Sequence, residues 1–115
     1  MSITYYGFCT LPVADAQRRI AYIRKAQPEW YEIILLLYDA REPAKPFGHE
    51  LALAFGVDAK STFALAVNDK ERFSEILRDA LEFIYQVFGT DALVMTHEME
   101  LVHPPRQPHP PMKLA

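Results

Sequence analysis

Residues 68–89 read NDKERFSEILRDALEFIYQVFG, and they decide how the rest of the chain must be arranged. Phe73, Ile76, Leu77, Ala80, Leu81, Ile84, Val87 and Phe88 recur at three- and four-residue intervals, which puts them on one stripe of a helix. Asn68 and Glu71 have the offset of a capping box, with Asn in place of the usual hydroxyl residue. Gly89 follows the last apolar residue, where a left-handed stop is easiest for glycine. One long amphipathic helix is therefore predicted over 68–89, and its stripe needs a sheet to cover.

Strand-like sequence lies on both sides of that helix. Ser61 to Val67 alternates Phe63, Leu65 and Val67 with Thr62, Ala64 and Ala66. Downstream, Asp91 to Val102 sets Leu93, Met95, His97, Met99 and Leu101 against Val94, Thr96, Glu98, Glu100 and Val102. Glu50 to Val57 also alternates and is expected to form a hairpin with Ser61 to Val67, turning near Asp58-Ala59-Lys60. The small side chains Ala52, Ala54, Ala64 and Ala66 would then line the outer face.

Towards the N-terminus, Ile3 to Cys9 (ITYYGFC) is aromatic and β-branched, a first strand. Pro12 suits the first turn of a helix, and Val13, Ala16, Ile20 and Ile23 carry the helical spacing through VADAQRRIAYIRKA. Arg24 and Lys25 complement the negative end of that helix, and Pro28 bars its extension. Trp30 to Tyr38 (WYEIILLLY) is nearly continuous apolar sequence, read as the central strand. Asp39 to His49, with Pro43, Pro46 and Gly48, is a long connection. His103 to Ala115 (HPPRQPHPPMKLA) is too rich in proline for regular structure and is expected to be an extended, solvated tail.

The expected order is β-α-β-β-β-α-β: an α+β, two-layer ferredoxin-like sandwich of about five strands and two helices. Residues 1–102 form a single domain and 103–115 the tail. A last strand parallel to the first, with helices on opposite faces, is the competing topology.

Composition fits one self-sufficient domain. The 115 residues are 50% hydrophobic and 23% charged, which is globular rather than disordered composition. The net charge of -3 argues against a general nucleic-acid binder; it suits a basic partner better than an acidic one, and is also the ordinary value for a soluble domain. The single cysteine, Cys9, excludes an intramolecular disulfide, and no apolar run reaches membrane-spanning length. A cytoplasmic location without a membrane partner is the expectation.

Candidate chemistry is sparse. His97, His103 and His109 recur every six residues, but a strand and a stiff tail would not converge them on a metal. Cys9 has neither a histidine nor an orienting group nearby in sequence, and no phosphate-binding glycine loop, HExxH helix or GxSxG elbow is present. No catalytic residue, metal or cofactor is expected. Glu98 and Glu100 on one strand face, with Glu32 expected on the same side, resemble a recognition surface more than an acid–base pair when set beside Tyr6, Phe8 and Tyr38.

FALAVNDKERFSEILRDALEFIYQVFGTDALVMTHEMELV, together with the opening ITYYGFCTLPVADAQ, resembles the small immunity proteins of bacterial contact-delivered and polymorphic toxin systems, notably the Sit-type proteins. The resemblance implies a non-enzymatic protein that binds and neutralises one cognate toxin in the producer's cytoplasm. Glu32, Tyr38, Arg41, Glu98 and Glu100 are the residues expected to meet that partner. Two alternatives stay open: a homodimeric ferredoxin-like binding or regulatory module that buries the Ala-rich sheet face, and a small-molecule enzyme.

Overall fold

Gly7 is what allows β1 (Thr4–Cys9) to lie at the centre of the sheet. Its partner on the neighbouring strand is Phe63, and the Phe63 ring lies so close over Gly7 that an added Cβ would meet it at 2.3 Å. The ring in turn stacks on Phe88, with centroids 5.2 Å apart. A glycine in a strand thus marks a close approach that locks sheet to helix.

The computed structural model describes residues 3–44, 47–97 and 101–114. After β1 come α1 (Val13–Ala26), a π-helical segment (Glu29–Ile34), β2 (Leu35–Leu37), α2 (Phe47–Ala54), β3 (Ser61–Val67), α3 (Phe73–Phe88), β4 (Leu93–His97) and β5 (Leu101–His103). The strands form one sheet in the order β2-β3-β1-β4-β5, and every pairing in it is antiparallel. The competing parallel arrangement is thereby excluded, and the α+β five-stranded class holds.

α1 and α3 share one face of the sheet. Ala16, Ile20 and Ile23 of α1 and Ala80, Ile84, Val87 and Phe88 of α3 pack with Tyr5, Cys9, Leu65 and Met95 in a single core. The apolar stripes predicted for both helices are the buried ones. The start of α3 differs: the helix begins at Phe73, and Asn68 instead donates its side-chain amide to the Ile33 carbonyl at 2.8 Å. Asp69 organises the entry turn, its carboxylate accepting the amides of Glu71 and Arg72 at 3.1 and 3.2 Å. Gly89, at φ 91°, ends the helix as expected.

Three expectations are corrected. Trp30 to Tyr38 is not a central strand. Its first part winds into the π-helical segment and only Leu35–Leu37 joins the sheet, at the edge. The winding buries Tyr31, whose hydroxyl donates to the Ala80 carbonyl at 2.6 Å, while the Asn68 and Asp69 amides both donate to the Ile34 carbonyl. Glu50 to Val57 is not a strand either. HELALA is built from good helix formers with no β-branched residue, and Gly56, at φ 85°, follows as the stop. Ala52 of α2 then packs with Phe8 and Val94 on the sheet face opposite α1 and α3, which occupies part of the face expected to be bare.

The third correction concerns the C-terminal end. Asp91 to Val102 is two paired strands rather than one, with Thr96 opposite Val102. The five strands thus include β4 and β5 in place of one long strand, and a third helix replaces the expected hairpin strand. Beyond β5 the tail is extended but docked. The Thr90 amide donates to the His109 carbonyl at 3.0 Å and the Met112 amide to the Val87 carbonyl at 3.3 Å. Glu82, buried in α3, accepts the Arg106 amide at 2.7 Å and meets the His109 ring. His109 is therefore a largely buried partner of α3, not a solvated tail histidine.

Candidate functional site

The edge made by β2 and its flanks carries two large apolar side chains that face water. Ile33 is 54% and Tyr38 50% exposed, although both belong to the most hydrophobic run in the chain. The π-helical winding explains Ile33: it buries Tyr31 and Ile34 and leaves Ile33 turned outwards. Tyr38 follows from strand alternation, since Leu35 and Leu37 are in the core. Its amide donates to the Ala64 carbonyl at 2.9 Å, which holds the residue at the sheet margin.

α1 fixes this edge in place. Arg24 donates through Nε to the Leu37 carbonyl at 2.8 Å and through Nη2 to the Asp39 carboxylate at 2.7 Å. Gln17 donates to the same carboxylate at 3.0 Å and accepts the Ala40 amide at 2.7 Å. The Arg24 bond, reinforced by Gln17, holds the Asp39 carboxyl below its usual range. Arg41 then exchanges both backbone bonds with Thr62, at 2.9 and 2.8 Å. Residues 38–41 are thus preorganised, which lowers the ordering cost of any association through them. Because Arg24 occupies the Leu37 carbonyl, strand addition at this point of the edge is blocked, and recognition here belongs to side chains.

Three of the five sequence-selected residues are described, and they do not share one face. Tyr38 and Arg41 lie along the β2 edge, both exposed. Glu32 is exposed on the π-helical segment, in a groove with Arg24, Lys25 and Pro28, and so lies on the helix side rather than on the open sheet face. Glu98 and Glu100 fall outside the described residues. The strands that flank them in sequence, β4 and β5, lie towards the other side of the sheet, and β5 is separated from β2 by about 19 Å at the usual strand spacing. Sequence reasoning misses Ile33, because a continuous apolar run gives no sign of which member will be turned outwards.

The other candidates resolve into packing. Cys9 is fully buried, and burial pushes its thiol above the ordinary value. It also accepts the Leu11 amide at 3.2 Å, which is the behaviour of a structural cysteine. His97 and His103 pack against Tyr5, with centroids 4.7 and 5.3 Å from its ring. Burial, and next to it the neighbouring His97, lower the pKa of His103. His109 is paired with Glu82, and among the described residues no group of three His, Cys, Asp or Glu side chains could hold a metal ion. No helix there is long and apolar enough to cross a membrane.

A family described as CDI System Immunity Component matches residues 1–101. The chain belongs to this family. It is an immunity component of a contact-dependent inhibition system, and its work is to bind and neutralise a cognate toxin. The expectation drawn from the α3 region and the opening strand and helix is therefore borne out. A solved structure titled CdiA-CT/CdiI toxin and immunity complex, from Burkholderia pseudomallei, contains a chain of the same fold. The TM-score is 0.78 at 19% identity, over 87% of the immunity component and 95% of that chain. No curated protein matches the immunity component.

Proposed function

We propose that this immunity component acts without catalysis, by covering part of its toxin with the β2 edge, and that Ile33, Tyr38, Arg41 and Glu32 make the contact. The observation that carries this reading is the pair of half-exposed apolar side chains, Ile33 and Tyr38, on a segment that α1 holds in one conformation. An exposed aromatic on a rigid support with charged residues around it is the usual make-up of a binding hot spot. Producing the protein in the cytoplasm, where a toxin would be met before acting, completes the reading.

The test uses the cognate toxin domain. Titration calorimetry of the wild-type protein should show tight 1:1 binding, and co-expression should protect cells. Tyr38→Ala with Ile33→Ser is expected to weaken binding by about 30-fold or more with little change in melting temperature. A wild-type protein that neither binds nor protects would sink the toxin reading. Unchanged affinity in the double variant would show instead that the β2 edge is the wrong surface. Lys at Glu98 and Glu100 tests the acidic residues selected from sequence in the same assay.

A further inference from the structure

We infer that Gln17 and Arg24 of α1 are positioning residues for toxin binding: they fix the backbone of 37–40 so that Tyr38 is presented in one conformation, and they raise the affinity without touching the toxin. This rests on the β2-edge reading above and gives α1 a part in recognition. Gln17 and Arg24 are two helical turns apart and so lie on one stripe of α1. That stripe runs beside the buried residues Ala16, Ile20 and Ile23, on the side of the helix that meets the end of β2.

The backbone of 37–41 shows why two side chains are needed there. β2 ends at Leu37; beyond it the sheet holds the Tyr38 amide, on the Ala64 carbonyl, and both backbone groups of Arg41, on Thr62. Between these ties the Leu37 carbonyl accepts from Arg24 Nε at 2.8 Å, and the Ala40 amide donates to Gln17 Oε1 at 2.7 Å. The Asp39 carboxylate closes the clasp, accepting from Arg24 at 2.7 Å and from Gln17 at 3.0 Å through the same oxygen. Each residue of 37–41 is thereby tied to a group outside the stretch.

Fixing one backbone residue costs on the order of tenfold in an equilibrium constant, so a stretch ordered before the toxin arrives leaves that cost out of association. Arg24 suits the task because its planar guanidinium serves two acceptors at once through Nε and Nη2, which the point charge of a lysine does not match. The Arg24 side chain is 25% exposed, sheltered on the helix side of the clasp, while Tyr38 stands clear of it. One backbone group at each end of β2 is also engaged outside the sheet, the Leu35 amide by the Trp30 carbonyl and the Leu37 carbonyl by Arg24, so the toxin meets side chains rather than a free strand edge.

A double-mutant cycle on binding of the cognate toxin domain tests the inference. Arg24→Ala should weaken binding by about tenfold on its own and by about twofold or less when Tyr38 is already Ala, because the clasp then has little left to present. Asp39→Asn, which keeps an acceptor for both partners, should bind within about threefold of wild type. Hydrogen exchange should show the amides of Tyr38 and Ala40 opening faster in Arg24→Ala, with those of β1 and α3 unchanged. Gln17→Ala, expected to weaken binding by about threefold, is read in the same cycle if Arg24→Ala does not fold. An equal loss from Arg24→Ala in both backgrounds would mean that Arg24 touches the toxin, and a loss in Asp39→Asn as large as in Arg24→Ala would assign the effect to charge; either overturns the positioning role. Affinity in Arg24→Ala within about twofold of wild type, despite faster exchange at Tyr38, would overturn it too, and each of these results leaves the β2 edge standing as the contact. Wild-type affinity in Tyr38→Ala with Ile33→Ser would remove the edge and this inference together, and a wild-type protein that does not bind toxin would remove the toxin reading with them.

Discussion

Replacing Glu82 with Gln should loosen the C-terminal tail and destabilise the protein, by an amount the structure allows to be worked out. The Glu82 side chain is only 6% exposed and is met almost wholly by tail residues. Gln keeps the shape and still accepts the Arg106 amide, now 2.7 Å from the carboxylate, so no cavity forms. What is lost is charge. A hydrogen bond to a charged group is worth about 1 kcal/mol more than a neutral one, and two such bonds are affected, those from the Arg106 amide and the His109 ring. The Arg106 guanidinium, 3.5 Å away and half exposed, adds little and keeps Asp79 as a partner at 3.1 Å. The expected cost is about 1–3 kcal/mol at pH 7, a fall in Tm on the order of 10 °C for a chain of this size.

Acid supplies the sign test for the same pair. Burial on its own would raise the Glu82 pKa, but the Arg106 amide and the His109 ring outweigh it and hold the carboxyl below its ordinary 4.5. A depressed carboxylate contributes stability that is complete above the unfolded value and is lost as pH falls through the folded one. The gap between wild type and Glu82→Gln, measured by urea denaturation, should therefore be full at pH 7 and close progressively below about pH 4.5. Hydrogen exchange should show the amides of Arg106, His109 and Met112 opening faster in the variant at neutral pH. A variant as stable as wild type at pH 7, or a gap that persists undiminished in acid, would refute the assignment of Glu82 as the anchor of the tail.

Two further substitutions test the packing that supports the surface. Gly7→Ala places a Cβ 2.3 Å from the Phe63 ring, so the Phe63–Phe88 stack must shift, and denaturant unfolding should register a loss of about 1–3 kcal/mol. Leu81→Ala removes a side chain of the α3 stripe from a residue only 7% exposed and should cost about 2–5 kcal/mol; a thermal melt superimposable on wild type would mean that the stripe is not core.

Long periodic patterns are legible in the chain itself. α1 and α3 repeat their apolar residues over several turns, and β1 and β3 are aromatic or strictly alternating, so each has one face that only one kind of element can bury. Short apolar stretches are not. IILLL and ELALAFG suit a strand or a turn of helix equally well, and the choice depends on partners distant in sequence. Tyr31 reaching Ala80 and Asn68 reaching Ile33 wind the first, while helix propensity with Phe8 and Val94 beneath decides the second.

The candidate surface shows the same division. Tyr38 and Arg41 stand out in the sequence as an aromatic and a cation beside a long loop, and folding brings them to one edge. Glu32 belongs to the sheet face only if its segment is a strand, and the π-helical winding moves it to the side of α1. Glu82 reads as an ordinary charged residue of a helix. Its burial comes from Arg106 and His109, which the chain returns to it after two further strands. By itself the sequence determined the α+β class and the faces of its two long helices, because periodicity and local chemistry are written along the chain, and it also carried the resemblance to immunity proteins. Tertiary structure decided which apolar residues are left outside and which carboxylate is taken in, because both depend on groups that only folding brings together.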